Sequence, residues 1–382
     1  MPAPPSPVRI ESADGNWSPV VARFRELVDT GHEPGGSLAV WRHGAPALVV
    51  HGGSSDLARQ VPWGADTLVQ VFSTGKPLVA LAALQAVADG RIGLDAPVTA
   101  YWPAYRDSAQ RPTTLRDILS HRSGKHTFSP AAATVDPRDH AGLVHDLETM
   151  APLTVPGRYT AEHATTYGHL VDGVLAAVGA PAVHEYASDL SRALGARFRF
   201  GVRPHEVPLV AEAEPMGSAW TDPHLSHELG RAALLRPAGL LHTDTLRSAS
   251  WLTTAFGAIG LITDATSLAR LYDDLSRPDG HISRSLGTPL RSELLATPAA
   301  TPDGFLRDCV RWSPGFQIDD NGDIGMGGIG GSCAWYSPEH GYSLGYVTRG
   351  LHDHARVEYL AEAVESTLRM RRRPDPSTAS QA

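Results

Sequence analysis

Residues 71–77 read Val-Phe-Ser-Thr-Gly-Lys-Pro and run directly into an apolar segment, Leu78 to Leu84. Pro77 has no backbone N–H, so it fits the first turn of a helix, where that donor would have no partner. This places Ser73 at or near the N-cap and Lys76 three residues on, on the same side of the first turn. Because the segment that follows is apolar on nearly every face, we predict a buried helix.

Burial of this helix would change the chemistry of Lys76. A partly desolvated lysine has a lowered pKa, and a neutral amine beside a serine hydroxyl can activate that hydroxyl as a nucleophile. The chain has 33 lysines and arginines, but only Lys76 and Lys125 are lysines. Arginine does not release its proton, so a lysine at this position indicates chemistry. The alternative is that Ser73 only caps the helix and Lys76 extends to solvent.

The composition excludes several classes of function. The chain has 382 residues, 42% of them hydrophobic, and a net charge of −8, so no cationic face for nucleic acid is expected. Cys309 and Cys333 are far apart and lack neighbours at metal-ligand spacing, so we expect no metal site. No phosphate-binding or dinucleotide motif is present, and we expect no cofactor. Without a secretory signal or an apolar run of about 20 residues, the prediction is a cytoplasmic protein that does not enter a membrane.

The order of periodic segments indicates two lobes. Strands near both ends of the chain surround a middle that is rich in alanine and leucine and reads as mostly helical. We therefore predict an α/β lobe built from the two ends, with a helical lobe inserted and a cleft between them. The predicted division is a leader (1–16), the α/β lobe (17–71 and 296–370), the helical lobe (72–295) and a disordered tail (371–382).

Four blocks of sequence resemble one family. Residues 71–77, 88–98, 114–124 and 256–264 are similar to motifs of the serine β-lactamase-like superfamily, in the branch of class C β-lactamases, family VIII carboxylesterases and transacylases. The resemblance covers roughly residues 17 to 365. It implies a mixed α/β (α+β) fold, an antiparallel sheet flanked by helices plus an all-helical lobe. It also implies that Lys76 assists proton removal from Ser73, which carries an acyl-enzyme intermediate.

The second motif of the family departs from its pattern in this chain. The family has a tyrosine shortly after a Pro-Gly pair, whereas alignment on Pro156-Gly157 and on the closing Tyr167-Gly168 places Glu162 there. Neither Tyr159 nor Tyr167 is assigned the vacant role. An ionised Glu162 could act as the base with Lys76 supporting the serine alkoxide, or a protonated one could protonate the leaving group. The third alternative is a surface glutamate beside an altered or inactive site.

The third motif also differs. Residues 325–332 read Gly-Met-Gly-Gly-Ile-Gly-Gly-Ser, and the resemblance places Met326 where lactamases have lysine and the esterases histidine or tryptophan. It implies that the N–H groups of Ser73 and Ile329 form the oxyanion hole. Met326, Gly327, Gly328 and Trp335 are the predicted substrate-binding residues, the glycines because they allow a close approach of backbone to substrate. Met326 carries no charge for a substrate carboxylate, which disfavours β-lactam hydrolysis.

These residues predict a serine esterase or transacylase that acts on a small neutral ester or thioester. Its partners would be a small-molecule acyl donor and, in the case of transfer, an amine or alcohol acceptor. The alternative is a catalytically inactive relative that binds a small ligand or partner in the same cleft. Ser73 and Lys76 favour the enzyme, whereas Glu162 and Met326 favour the inactive relative. Lys125 is predicted at the mouth of the cleft, and the sequence does not indicate an oligomeric state.

Overall fold

The computed structural model describes residues 7–372. The strands are β1 (Arg9–Ala13), β2 (Gly35–Arg42), β3 (Ala45–Gly53), β4 (Val69–Gln70), β5 (Arg199–Phe200), β6 (Glu214–Pro215), β7 (Leu261–Thr263), β8 (Thr301–Asp303), β9 (Asp308–Ser313), β10 (Phe316–Ile318), β11 (Ile324–Gly327), β12 (Cys333–Ser337), β13 (Tyr342–Thr348) and β14 (Gly350–Leu351). The helices are α1 (Ser18–Asp29), α2 (Lys76–Ala88), α3 (Leu115–Leu119), α4 (His140–Thr149), α5 (Tyr167–Ala177), α6 (Val183–Leu194), α7 (Asp222–Leu225), α8 (Glu228–Leu234), α9 (Thr243–Arg247), α10 (Ala249–Leu252), α11 (Ala265–Ser276), α12 (His281–Leu294) and α13 (Ala355–Arg372).

The main sheet joins the two ends of the chain. Its nine strands are antiparallel and lie in the order β1-β3-β2-β13-β12-β11-β10-β9-β8. Alternate residues of β2 face opposite sides, as a strand requires: Leu38 and Val40 pack with α1 and α13, whereas Ala39 and Trp41 pack in the larger core. We call the α1/α13 side the outer face and the opposite side the inner face.

The inner face carries the second lobe. Helix α11 packs on β13, β2 and β12, and α12 links it to the buried helix α2. Helix α2 packs in turn against α5 and α6. Nearly all of its apolar side chains are buried, because α5, α6, α12 and β11 pack around it. None of the described helices is long and apolar enough to cross a membrane.

The mixed α/β fold and the strands at both ends of the chain are confirmed, but three boundaries differ. Residues 9–13 of the predicted leader form β1, because that segment pairs with β3 at the edge of the sheet. Helix α11 lies within the predicted helical lobe but packs on the sheet, where a side chain at Gly345 would collide with the Ala265 carbonyl. Residues 371–372 of the predicted tail complete α13, and the remainder of the tail lies outside the described residues.

Candidate active site

Ser73 lies in a 3-10 turn, Phe72–Gly75, that leads into α2. Ser73 lies near the start of the helix, as predicted, but it is not the cap: Gly75 occupies the N-cap and Lys76 is the first helical residue. Pro77 is in the first turn, as predicted. Phe72 has a positive φ of 50°, an arrangement that costs on the order of 1–3 kcal/mol for a residue other than glycine. The surrounding core holds this strained residue directly before the serine.

The Lys76 ammonium nitrogen joins Ser73 to Glu162. Lys76 Nζ lies 2.6 Å from Ser73 Oγ, 2.8 Å from Glu162 Oε1 and 3.2 Å from the Ala164 carbonyl oxygen. These three acceptors match the three N–H bonds of an ammonium group. Lys76 and Glu162 are 1% and 5% exposed, so the ion pair is shielded from water. The structure thus brings together the three predicted catalytic residues, and the surface placement considered for Glu162 is excluded.

Two opposing effects set the proton affinity of Lys76. Burial disfavours the charged form and lowers the pKa of Lys76, and the adjacent Glu162 carboxylate opposes this by its charge and its hydrogen bond. Burial is the larger effect, so the pKa of Lys76 lies below that of an ordinary lysine. A proton on Lys76 is therefore easier to remove than in solvent, although a partner for the cation is in place.

Asp303 holds the backbone of Glu162. Its Oδ1 accepts hydrogen bonds from the N–H groups of Glu162, Phe305 and Leu306 at 2.9 to 3.1 Å, and its Oδ2 accepts one from Trp312 Nε1. Burial raises the pKa of Asp303, and these hydrogen bonds oppose the rise. Asp303 was not predicted as a site residue; it belongs to β8, about 140 positions from Glu162 along the chain. No local motif marks it; the signal is its position at the end of a strand beside the site.

A buried histidine pair supports the same segment. His163 receives a hydrogen bond from Ser123 Oγ at Nε2, at 2.6 Å, and its Nδ1 lies 2.8 Å from the Ala161 carbonyl. Nδ1 must carry the proton to donate to a carbonyl, so this contact fixes a neutral tautomer. Burial lowers the pKa of His163 to about 3, and the main-chain N–H of His163 donates to His121 Nδ1. The family block at residues 114–124 thus supplies two side chains that orient the residue next to Glu162.

Strand β11 ends against the nucleophile turn. A side chain at Gly328 would place its Cβ 2.2 Å from the Val71 carbonyl oxygen and 2.8 Å from Thr74 Oγ1. Thr74 Oγ1 also donates to the Ser332 carbonyl at 3.0 Å. These contacts require glycine at position 328 and hold the end of β11 against the nucleophile turn.

A cavity of about 600 Å³ extends from Ser73 along β11. Its inner part is bordered by Ser73, Glu162, Met326, Gly328 and Ile329. The inner wall is otherwise mostly apolar and includes Ala164, Leu234, Leu241, Ile259, Phe305 and Leu306. Met326 is 5% exposed and packs on Val310 and Trp312. The structure thus places every predicted site residue except Lys76 on the wall of one cavity, with Lys76 enclosed behind Ser73.

Trp335 borders this cavity away from Ser73. It lies opposite Gly325 and Leu344 in the sheet register and packs in the outer-face cluster, where its Nε1 lies 3.4 Å from the Tyr342 hydroxyl. Its neighbour Ala334 packs in the core on the inner face. Trp335, a predicted substrate-binding residue, therefore reaches the cavity from the other face of the sheet, because alternation along the strand turns it away from Ser73.

Three other residues lie outside the catalytic cluster. Tyr167 is buried and donates its hydroxyl hydrogen to the Leu119 carbonyl at 3.1 Å, and Tyr159 is 39% exposed. The predicted location of Lys125 at the cleft mouth is wrong. Its Nζ donates to the Leu147 carbonyl at 2.6 Å and lies over the Tyr105 ring, because the Lys125 side chain is buried within the helical lobe.

Several known proteins are similar to this chain in sequence and in fold. A family model described as Beta-lactamase matches residues 20–369. The chain is 29% identical over 360 residues to "Esterase/beta-lactamase LipL" of Mycobacterium tuberculosis, covering 88% of this chain and 82% of the relative. A penicillin-binding protein homologue from Caulobacter crescentus superposes with a TM-score of 0.81 at 27% identity, over 94% of this chain and 100% of the other. A family VIII carboxylesterase has the same fold, with a TM-score of 0.81 at 21% identity over 93% and 98% of the two chains. The chain therefore belongs to the β-lactamase family.

Proposed function

We propose that this protein is a serine esterase that forms an acyl-Ser73 intermediate from a small neutral ester and passes the acyl group to water or to a small amine or alcohol. The observation that carries the proposal is the unbroken contact from Ser73 Oγ to Lys76 Nζ, at 2.6 Å, and on to Glu162 Oε1, at 2.8 Å. A nucleophile within hydrogen-bond reach of a base that a third group orients is the arrangement that activates a hydroxyl.

The proton of Ser73 has a defined route in this arrangement. As Ser73 Oγ bonds to the ester carbonyl carbon, its proton passes to Lys76 Nζ, and a Lys76 proton passes to Glu162. The products of this step are a tetrahedral adduct, an ammonium group and a carboxylic acid. Glu162 contacts Ser73 through Lys76, and it is the lysine that lies within reach of the hydroxyl. This geometry favours a relay over direct removal of the proton by Glu162.

The tetrahedral adduct then loses its alcohol. The C–O bond to the leaving group breaks, and the alcohol leaves with the proton held by Glu162 and Lys76. The N–H groups of Ser73 and Ile329 serve as donors to the oxyanion, because Gly328 lets β11 approach the nucleophile turn closely. A donor of this kind contributes roughly 10²–10³ to the rate. Glu162 therefore takes the proton-transfer role that a tyrosine has in the resemblance noted above.

The second half of the reaction reverses these roles. Water or an alcohol or amine acceptor attacks the acyl carbon, its proton passes to the Lys76–Glu162 pair, and Ser73 Oγ leaves with a proton. The mostly apolar inner wall disfavours water relative to an organic acceptor, which supports transfer beside hydrolysis.

The charge of the cleft favours neutral esters over β-lactams. A β-lactam antibiotic carries a carboxylate, which is bound best by lysine or arginine. Met326 offers no charge, and within residues 7–372 no lysine or arginine lines the cavity. A carboxylate bound there would lie close to Glu162, and the charge of Lys76 behind the wall is already paired with Glu162.

The test is steady-state hydrolysis of p-nitrophenyl acetate and butyrate and of a chromogenic cephalosporin, by the wild-type protein and by Ser73→Ala. We expect Ser73-dependent release of p-nitrophenol, with cephalosporin turnover slower by orders of magnitude. A primary amine added to the assay should divert part of the acyl group into an amide, which separates transfer from hydrolysis. Equal ester turnover by Ser73→Ala and the wild-type protein would refute the proposal.

A further inference from the structure

The outer part of the cavity is a recess that the esterase chemistry does not use. It is lined by Asp319 and Asp323 from the turn between β10 and β11, by Trp335 from β12, and by Glu358 and Glu365 from one face of α13. We call these five residues the acidic recess. Gly325 and Gly327 lack side chains on this stretch of β11, so the strand leaves room between the turn and α13.

The whole cavity carries charge of one sign. No lysine or arginine among the described residues lines it, whereas six carboxyl side chains do: the four of the acidic recess (Asp319, Asp323, Glu358 and Glu365) and those of Glu162 and Asp308. The nearby counter-charges are Lys76, which pairs with Glu162 from behind the wall, and Arg369, 58% exposed, which lies 3.4 Å from Glu365. Gln317 Nε2 donates to Asp319 Oδ1 at 3.0 Å. A cleft lined by one sign of charge concentrates ligands of the opposite sign.

Asp323 points more specifically to a ligand. It is 6% exposed, and its Oδ1 is buried without a hydrogen-bond partner. Burial raises the pKa of Asp323 to about 6, against hydrogen bonds from Ser337 and Asn321 that oppose the rise. A buried carboxylate oxygen without a donor is unfavourable, so a cationic or N–H-bearing ligand in the recess would recover free energy by pairing with it.

An organic cation suits this recess better than a metal ion. No group of three or more potential ligands in residues 7–372 is arranged to hold a metal. The carboxylates instead surround a space that also has an aromatic wall, Trp335. Carboxylates with an indole ring are a suitable environment for an alkylammonium group, which gains both charge pairing and a cation–π contact.

We propose that the acidic recess binds an ammonium group of the substrate, remote from the reacting carbonyl, while the mostly apolar inner wall receives the acyl group. The substrate class is thus an ester whose alcohol portion carries a primary amine or a quaternary ammonium. This inference rests on the proposed function, because it assigns the two ends of the cavity to the two ends of one ester.

The test compares matched butyrate esters. One series carries a trimethylammonium group at the end of alkyl spacers of increasing length, and the other carries the uncharged tert-butyl isostere on the same spacers. We expect one spacer length at which kcat/KM for the cationic ester exceeds that for its isostere by about tenfold or more, with the ratio falling as salt is added. A ratio near one at every length would overturn the proposal.

Charge-neutralising variants locate the effect. Asp323→Asn and Glu358→Gln should each reduce the cationic-to-neutral ratio several-fold. Asp320→Asn is the matched control, because Asp320 lies in the same turn but is 93% exposed, pairs with Arg311 and does not line the cavity. The ratio should be unchanged in that variant. An equal decrease in Asp320→Asn would assign the preference to net charge and not to the recess.

A binding measurement keeps this inference separate from the esterase proposal. Phenyltrimethylammonium should bind to the Ser73→Ala protein in calorimetry, and more weakly to a protein that carries both Ser73→Ala and Asp323→Asn. Ser73-dependent turnover of neutral esters without cation preference or binding would overturn the recess proposal alone. Binding of the cation without any ester turnover would retain the cation site and refute the esterase.

Discussion

Lys76 and Glu162 form the chemical centre of this molecule, and their exchange of a proton depends on both being buried. In water the ammonium and carboxylate would simply coexist, but at 1% and 5% exposure the separation of charge is costly and a shared proton becomes accessible. Lysine suits this role because its proton can leave.

Lys76→Arg retains the positive charge but removes the group that can release its proton. We expect acylation by an activated ester to fall by roughly 10²–10⁴, the range for loss of a general base. The measurement is the rate of Ser73 acylation in single-turnover experiments, with thermal unfolding to show that the variant is folded. Acylation within about tenfold of wild type would mean that Lys76 acts only through its charge.

Glu162→Gln removes the carboxylate that accepts the proton and retains the shape of the side chain. Acylation should fall by about 10² at neutral pH. The residual activity requires neutral Lys76, and the Glu162 charge opposes the lowering of the Lys76 pKa by burial. Removal of the Glu162 charge lowers the pKa of Lys76 further. The residual rate should therefore rise with pH at a lower pH than it would for a lysine with an ordinary pKa. An unchanged rate would make Glu162 a bystander.

The sequence predicted the catalytic residues better than it predicted what holds them. Ser73 and Lys76 are marked by a local motif and by the scarcity of lysine, and Glu162 by alignment on its flanking pairs. Asp303 and His163 act through contacts between segments that are distant along the chain, which spacing within one segment does not reveal.

At the scale of the element, the end of β11 decides whether the site is assembled. Gly328→Ala would place a methyl group 2.2 Å from the Val71 carbonyl, so strand or turn must move. We expect ester turnover to fall by about 10² or more, because the oxyanion donor on the strand moves with it. Gly64→Ala is the control, since no atom lies within 4 Å of the position that its methyl group would take. Wild-type activity in Gly328→Ala would contradict the assigned packing.

Local pattern predicted the kind of element but not its detailed geometry. The serine was expected at or near the start of a helix, and it lies there, but in a 3-10 turn with Phe72 at positive φ, a conformation that the enclosing core imposes. Likewise β12 was predicted, whereas the face that Trp335 occupies depends on strand register, and a shift of one residue exchanges the two faces.

At the scale of the whole molecule, the two ends of the chain build one sheet, and the sequence predicted this from strands at both termini. The sequence pattern placed α11 in the helical lobe, whereas the helix packs on the sheet. A helical pattern indicates which face is apolar but not which surface covers that face. The cytoplasmic location and the identity of the acyl acceptor stay predictions.

Buried neutral histidines make the fold sensitive to acid. Burial between Phe128, Phe256 and His140 lowers the pKa of His169 from 6.5 to about 3. The unfolded chain therefore binds one proton more between these values, and stability decreases as pH falls through that range, by up to about 1.4 kcal/mol per pH unit. His169→Phe should reduce this slope in urea unfolding experiments, and the exposed His205→Phe should not. Equal slopes in wild type and His169→Phe would contradict the buried neutral state.

The most direct test of the central claim is the mass of the intact protein after incubation with p-nitrophenyl butyrate. The wild-type protein should gain one butyryl group, located on Ser73 by peptide mapping, and Ser73→Ala should gain none. Quenching in acid at early times captures an intermediate that turns over quickly. An adduct on another residue, or no adduct on the wild-type protein while ester is consumed, would contradict acyl-serine catalysis by this site.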